Sequence, residues 1–135
     1  MARPMRTKPV SAAQVRAYAT KAQEFTDAAV SDLAAGRNIA ATSSAIHAEI
    51  NSADAVCGAR LGKRAAGEDH DQVLDLLRQA GPDGTAVERE LRRLLPLKTK
   101  AEYEPDDIAP SAASKAVERA QRCVAIAVRV AATTR

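Results

Sequence analysis

A chain of 135 residues is long enough to bury the core of one domain without disulfide or metal staples. Apolar residues make up 46% of it but aromatics only 2%, so the core must be built from Ala, Val, Leu and Ile, a composition that favours close packing of helices. No apolar run approaches the roughly 18 to 20 residues that span a bilayer, and the start MARPMRTKPV lacks the apolar stretch of a signal peptide, so a cytoplasmic protein with no membrane segment is expected.

Residues 1–10 carry Arg3, Arg6 and Lys8 with no acid, and Pro4 and Pro9 disfavour a helix there, so this stretch reads as a flexible basic arm. These three cations equal the whole net charge of +3. The 20 basic residues less these three leave 17, matching the 17 acids, and the body that follows is neutral. A basic arm on a neutral body can contact nucleic acid or an acidic partner, and Arg3, Arg6 and Lys8 are the residues expected to do so.

Ser11 followed by Gln14 forms the pattern of a capping box, and apolar residues recur at Val15, Tyr18, Ala22, Phe25, Ala29 and Leu33 until Gly36. The first helix is therefore predicted over about 11–35. A second opens at Asn38 and buries Ile39, Ile46, Ile50, Ala53, Cys57 and Leu61 before Gly62, and the short link makes the two an antiparallel hairpin. Asp69 with Gln72 caps a short third helix through Val73, Leu74, Leu76 and Leu77, which Gly81-Pro82 stops. Thr85 with Glu88 reads as the cap of a fourth, carrying Val87, Leu91, Leu94 and Leu95 as far as Pro96. Residues 97–107 read as a connection, and a last helix begins near Pro110 behind Asp106 and Asp107. No strand is predicted, because strict apolar alternation and hairpin dipeptides are missing. The expected fold is an all-α, five-helix bundle over 11–131, with two long N-terminal helices, a short third, a long last one and a tail at 132–135.

Cys57 and Cys123 fall on apolar helix faces and read as small buried hydrophobes. Two cysteines and two histidines without CxxC or HxxxH spacing give no zinc site, and the phosphate loops GxGxxG and GxxxxGK[ST], the GxSxG elbow and HExxH are missing, so no metal or cofactor is expected. Arg64 and His70, five residues apart in RAAGEDH, are the one pair able to act on RNA, the imidazole shuttling a proton and the guanidinium stabilising the phosphorane charge. The bland alternative is that Arg64 complements the dipole at the end of the second helix and His70 packs in the first turn of the third. His47 reads as a polar helix-face residue. Lys98, Lys100 and Tyr103 in LKTKAEYEP form a further candidate binding cluster, while Arg89, Arg92 and Arg93 alternate with Glu88 and Glu90 as a solvated face.

The order of these segments resembles the HEPN family of small helical proteins over residues 11–131. KAQEFTDAAVSDLAAGR is similar to that family's opening helix and IAATSSAIHAEINSADAVCGARLGKR to its Ala-rich second helix. DHDQVLDLL resembles its His-hydrophobic-Leu-Leu element, and KTKAEYEPDD its basic-to-Tyr segment before the last helix. The resemblance implies a homodimer working in a nucleic-acid-linked system of toxin–antitoxin or defence type. In its catalytic members an Arg-x(4 to 6)-His motif gives metal-independent RNase activity at a site composed across the dimer. Other members lack the motif and pair noncatalytically with nucleotidyltransferases. Matching Tyr103 to the family's Tyr puts Pro96 and Ala101 where Arg and His would stand, and Arg64 with His70 lies one connection earlier. Two expectations follow from the resemblance. One is a metal-independent RNase using Arg64 and His70 on RNA; the other is a noncatalytic helical adaptor or nucleotide-binding partner of a nucleotidyltransferase.

Overall fold

A computed structural model describes residues 5–67 and 69–135. Among them are six helices and a two-stranded sheet, in the order β1 (Thr7–Pro9), α1 (Ala12–Ala34), α2 (Asn38–Leu61), β2 (Lys63–Ala65), α3 (His70–Arg78), α4 (Gly81–Leu94), α5 (Pro96–Tyr103) and α6 (Pro110–Ala132). The chain is thus mostly helical, with one more helix than expected and a strand pair that was not expected at all. No described helix is long and apolar enough to cross a membrane.

The local signals explain most boundaries. Ser11 Oγ accepts from Gln14 N at 3.1 Å and Gln14 Oε1 from Ser11 N at 2.9 Å, the reciprocal cap that starts α1. Asp69 caps α3 by accepting from Asp71 N at 2.9 Å. Two boundaries depart from expectation because proline was read only as a stop. Gly81, at φ 74°, does end α3, but Pro82 then sits in the first turn of α4, where its missing N–H costs nothing. Thr85 is consequently inside α4, its hydroxyl donating to Gly81 O at 3.2 Å, and caps nothing. Pro96 likewise ends α4 and opens α5, so the segment expected to be a connection is a helix that buries Ala101.

Helices α1, α2 and α6 pack closely on one another, and α2 is the central one, also touching α3, α4 and α5. Alanines at the contacts, Ala22 and Ala29 of α1, Ala41, Ala45 and Ala48 of α2, and Ala113, Ala116 and Ala120 of α6, let the backbones approach. A second apolar cluster joins Val15, Val56 and Cys57 to Leu76, Leu77, Val87 and Leu91 of α3 and α4. Because α2 is covered on several sides, buried polar residues on it need internal partners. Thr42 donates to Asn38 O at 2.9 Å and Ser52 to Ala48 O at 2.8 Å. The expected stripe on α2 is partly wrong for the same reason: Ile39, near its start, is 36% exposed, while Glu49 is fully buried.

β1 pairs antiparallel with β2, with Thr7 opposite Ala65, Lys8 opposite Arg64 and Pro9 opposite Lys63. Residues 5–10 are therefore tied to the body, contrary to the reading of a flexible arm, and three-residue strands are too short to display a period. Val10 N donates to Gly62 O at 2.9 Å, Ala66 N to Arg6 O at 2.9 Å, and the Val10 side chain is buried. Truncating residues 1–10 would remove a strand and a core side chain. Arg3 lies outside the described residues.

Gly58 makes room for that docking. A Cβ there would lie 2.6 Å from Val10 Cγ1 and 2.9 Å from Val15 Cγ2. Alanine in a helix interior ordinarily gains about 1 kcal/mol over glycine, but overpacking costs about 1–3 kcal/mol, and here the clash involves two β-branched side chains. Gly58→Ala is expected to lower stability by about 1–2 kcal/mol in urea denaturation; a stabilised variant would show that Val10 is not seated against α2.

Glu49 generates a second expectation. Its Oε1 accepts from Cys123 Sγ at 3.4 Å and its Oε2 has no hydrogen-bond partner among the described residues. Burial lifts the carboxyl from 4.5 to about 8; Glu90 of α4 pushes the same way, and Cys123, Arg119 and Arg122 of α6 push against it. The folded chain keeps this proton up to about pH 8 whereas the unfolded chain releases it near 4.5. Between those values folding takes up a proton, so stability falls as pH rises, by up to about 1.4 kcal/mol per pH unit. Glu49→Gln should therefore be more stable than wild type by a margin that grows from pH 5 to 8 and then levels. A margin independent of pH would mean that Glu49 folds ionised.

Candidate nucleic-acid interface

The β1–β2 ribbon gathers cations that are far apart in sequence. Lys8 faces Arg64 directly, Lys63 lies opposite Pro9, and Arg6 adjoins β1. Arg6, Lys8 and Lys63 are exposed and Arg64 half-buried. Like charges placed opposite each other on paired strands repel, so the fold holds this group together at a cost. What holds it is backbone pairing and the packing of Val10, supplemented by Arg6 N donating to Gln72 Oε1 at 3.4 Å.

Several cations of the helical body are bridged to acids, whereas Arg16, Lys21, Arg89, Arg93, Lys100 and Lys115 make no salt bridge among the described residues. Arg60 and Arg129 both bind Asp83, Arg119 and Arg122 both bind Glu90, and Arg78 and Arg92 both meet Glu88. Among the described residues, none of the four ribbon cations makes a salt bridge. The excess charge located in the arm by sequence thus joins Arg64 on one face of the ribbon, where Lys8 and Arg64 are cross-strand partners, while Lys63, adjacent to Arg64 along β2, projects from the opposite face.

Arg64 also turns inward. Its guanidinium lies 5.9 Å from the centroid of the Tyr18 ring, and Nη1 donates to Ala65 O at 3.1 Å. Asp54 of α2 sits beside it: burial raises that carboxyl to about 7, against the pull of Arg64 and Lys21. His70 belongs to a different neighbourhood. Burial and then Lys98 lower its pKa, opposed by Asp69, Glu102 and Asp71; Arg64 is not among the groups acting on it. No hydrogen bond joins Arg64 and His70 among the described residues.

Lys98, Lys100 and Tyr103 all lie on α5. Lys98 Nζ is 3.9 Å from Glu102 Oε2, and Glu102 Oε1 is 3.2 Å from His47 Nε2. The His47 ring stacks on Phe25 with centroids 5.1 Å apart, so His47 is more than the free helix-face residue its position suggested. Tyr103, a member of the candidate binding cluster, is 74% exposed. His47 and Glu102 line an open cleft of about 1130 Å³ between the starts of α2 and α6 and the end of α5, walled also by Ile39, Ser43, Asp107 and Ile108. No group of three or more His, Cys, Asp and Glu side chains among the described residues could hold a metal ion.

The ribbon can neutralise phosphates in a row, and its side chains supply no proton donor and acceptor in mutual reach. On α5, Lys98 pairs with Glu102, which with His47 of α2 lines the cleft, while Lys100 makes no salt bridge among the described residues. Comparison with protein-family models and with curated proteins found no match to this chain.

Proposed function

We propose that this chain is a noncatalytic, HEPN-type helical module of a nucleic-acid-linked system, of the toxin–antitoxin or defence kind, that holds nucleic-acid backbone on the β1–β2 ribbon. The observation that carries this reading is the pairing of Lys8 against Arg64, with Arg6 two residues before Lys8 in the same extended segment and no acid bridging any of them among the described residues. Phosphate contact of this kind fixes position without reading bases, so binding is independent of sequence and sensitive to salt. A nucleotidyltransferase is the partner class consistent with a HEPN module that lacks the nuclease motif.

Three phosphate contacts on duplex DNA, from Arg6, Lys8 and Arg64, give a salt slope near −2.7, a loss of roughly 40-fold in affinity between 50 and 200 mM salt. Arg6→Ala combined with Lys8→Ala removes two contacts and should reduce that loss to roughly 3.5-fold while weakening binding at low salt. Fluorescence anisotropy with labelled duplex checks both. Unchanged affinity and slope in the double variant would move the site off the ribbon.

Pro96 and Ala101, standing where the resemblance would place the nuclease Arg and His, favour the noncatalytic reading over the nuclease one. Wild-type protein in EDTA should leave single-stranded RNA intact, and His70→Ala should behave the same. Metal-independent cleavage by wild type that is lost in His70→Ala or Arg64→Ala would overturn this, and would mean that two chains complete the pair.

A further inference from the structure

Behind the ribbon stands Asp54, a carboxylate that neither the helical packing nor the phosphate contact has used. Gly58 of α2 sits against Val15 of α1, since a Cβ there would lie 2.9 Å from Val15 Cγ2. The two helices are joined by a short link and run antiparallel. Asp54, one turn back along α2 from Gly58, therefore comes level with Tyr18, one turn on along α1 from Val15. Lys21, three residues beyond Tyr18, shares that face of α1. The Tyr18 ring in turn carries the Arg64 guanidinium, 5.9 Å from its centroid. Asp54 is half-buried at this junction, and its carboxylate makes no hydrogen bond or salt bridge among the described residues.

Arg64 thus belongs to two neighbourhoods. Across the ribbon it is paired with Lys8, whose charge repels it, and toward α2 the Asp54 carboxylate attracts it. A phosphate arriving at the ribbon competes with that carboxylate for the same guanidinium, and the two anions repel each other. The charged groups acting on Asp54 are Arg64 of β2 and Lys21 of α1, and both favour its ionised form; burial opposes them and prevails, raising the carboxyl to about 7. Cys57, three residues on along α2, is pushed up to about 12 by burial and by Asp54, and it stays neutral over the same range. On the reading that the ribbon is the phosphate contact, on which this rests, we propose that Asp54 is a built-in competitor for Arg64: the ribbon holds phosphate tightly while Asp54 keeps its proton and loosely once the proton is lost. Phosphate beside Arg64 offsets the cation that favours the ionised carboxyl, so bound nucleic acid raises the pKa of Asp54 further. Binding then takes up a proton, and affinity falls as pH rises through about 7.

A pH series of the anisotropy titration, with labelled duplex and the full chain at about 50 mM salt, tests the competition. If bound phosphate raises the Asp54 pKa by about one unit, wild type should bind about five-fold more weakly at about pH 8 than at about pH 6. Asp54→Asn, nearly isosteric and uncharged, should bind equally at both, and about five-fold more tightly than wild type at the higher pH. His47 and His70 remain in that variant, so any effect of their titration would persist in it. Arg64→Ala should bind more weakly and lose the pH dependence, because Asp54 then has no ribbon cation to compete for. A flat profile in wild type, or one equally steep in Asp54→Asn or in Arg64→Ala, would overturn the proposal and leave the ribbon reading standing. No binding at any pH, or binding that Arg6→Ala with Lys8→Ala leaves unchanged, would defeat the ribbon reading and the proposal with it.

Discussion

Seating of Val10 against Gly58 organises the functional end of this molecule. The missing Cβ at Gly58 leaves room for an isopropyl group, and Gly62, in the left-handed conformation at φ 71°, turns the chain out of α2 so that its carbonyl can accept from Val10 N. One buried side chain and one backbone hydrogen bond thus convert the N-terminal segment into an edge of the fold. From that follow the strand pairing, the register, and the juxtaposition of Lys8 with Arg64. Without it the same cations would be distributed along a loose segment and would lose entropy on each contact with a phosphate.

Charge is handled in opposite ways at the two ends of the chain's architecture. On α4, Asp83 and Glu90 each collect two arginines, and those bridges tie the helices together while cancelling the field. Deep between α2 and α6, Glu49 avoids charge by retaining its proton, with the Cys123 thiol as donor and a thiol pKa pushed far up by the same burial. At the ribbon neither device operates: the cations are close, largely exposed and unbridged among the described residues. A surface that keeps like charges together against their repulsion is poised for an anionic partner.

What could be read from the sequence was local chemistry. The Ser11–Gln14 box, the Asp69 cap and Pro110 in the first turn of α6 each depend on residues within one turn, and each is where its pattern places it. Long-range pairing was not legible: Thr7 meets Ala65 across the whole α1–α2 hairpin, and strands of three residues carry no periodic signature. Pro82 and Pro96 misled because a proline that stops one helix equally suits the first turn of the next. At the site, Arg64 lies near His70 in sequence, and the fold adds neighbours that sequence distance hides: Tyr18, Asp54 and, across the ribbon, Lys8.

The central claim is that the ribbon, as a folded unit, is the nucleic-acid contact. The most direct measurement is a two-dimensional amide NMR titration of the full chain with a short single-stranded oligonucleotide at low salt. The account requires the largest shift changes at residues 6–8 and 62–66, with smaller ones at Tyr18, and little change along the exposed face of α4. Shift changes centred on Arg89 and Arg93, or none at all at saturating oligonucleotide, would contradict it.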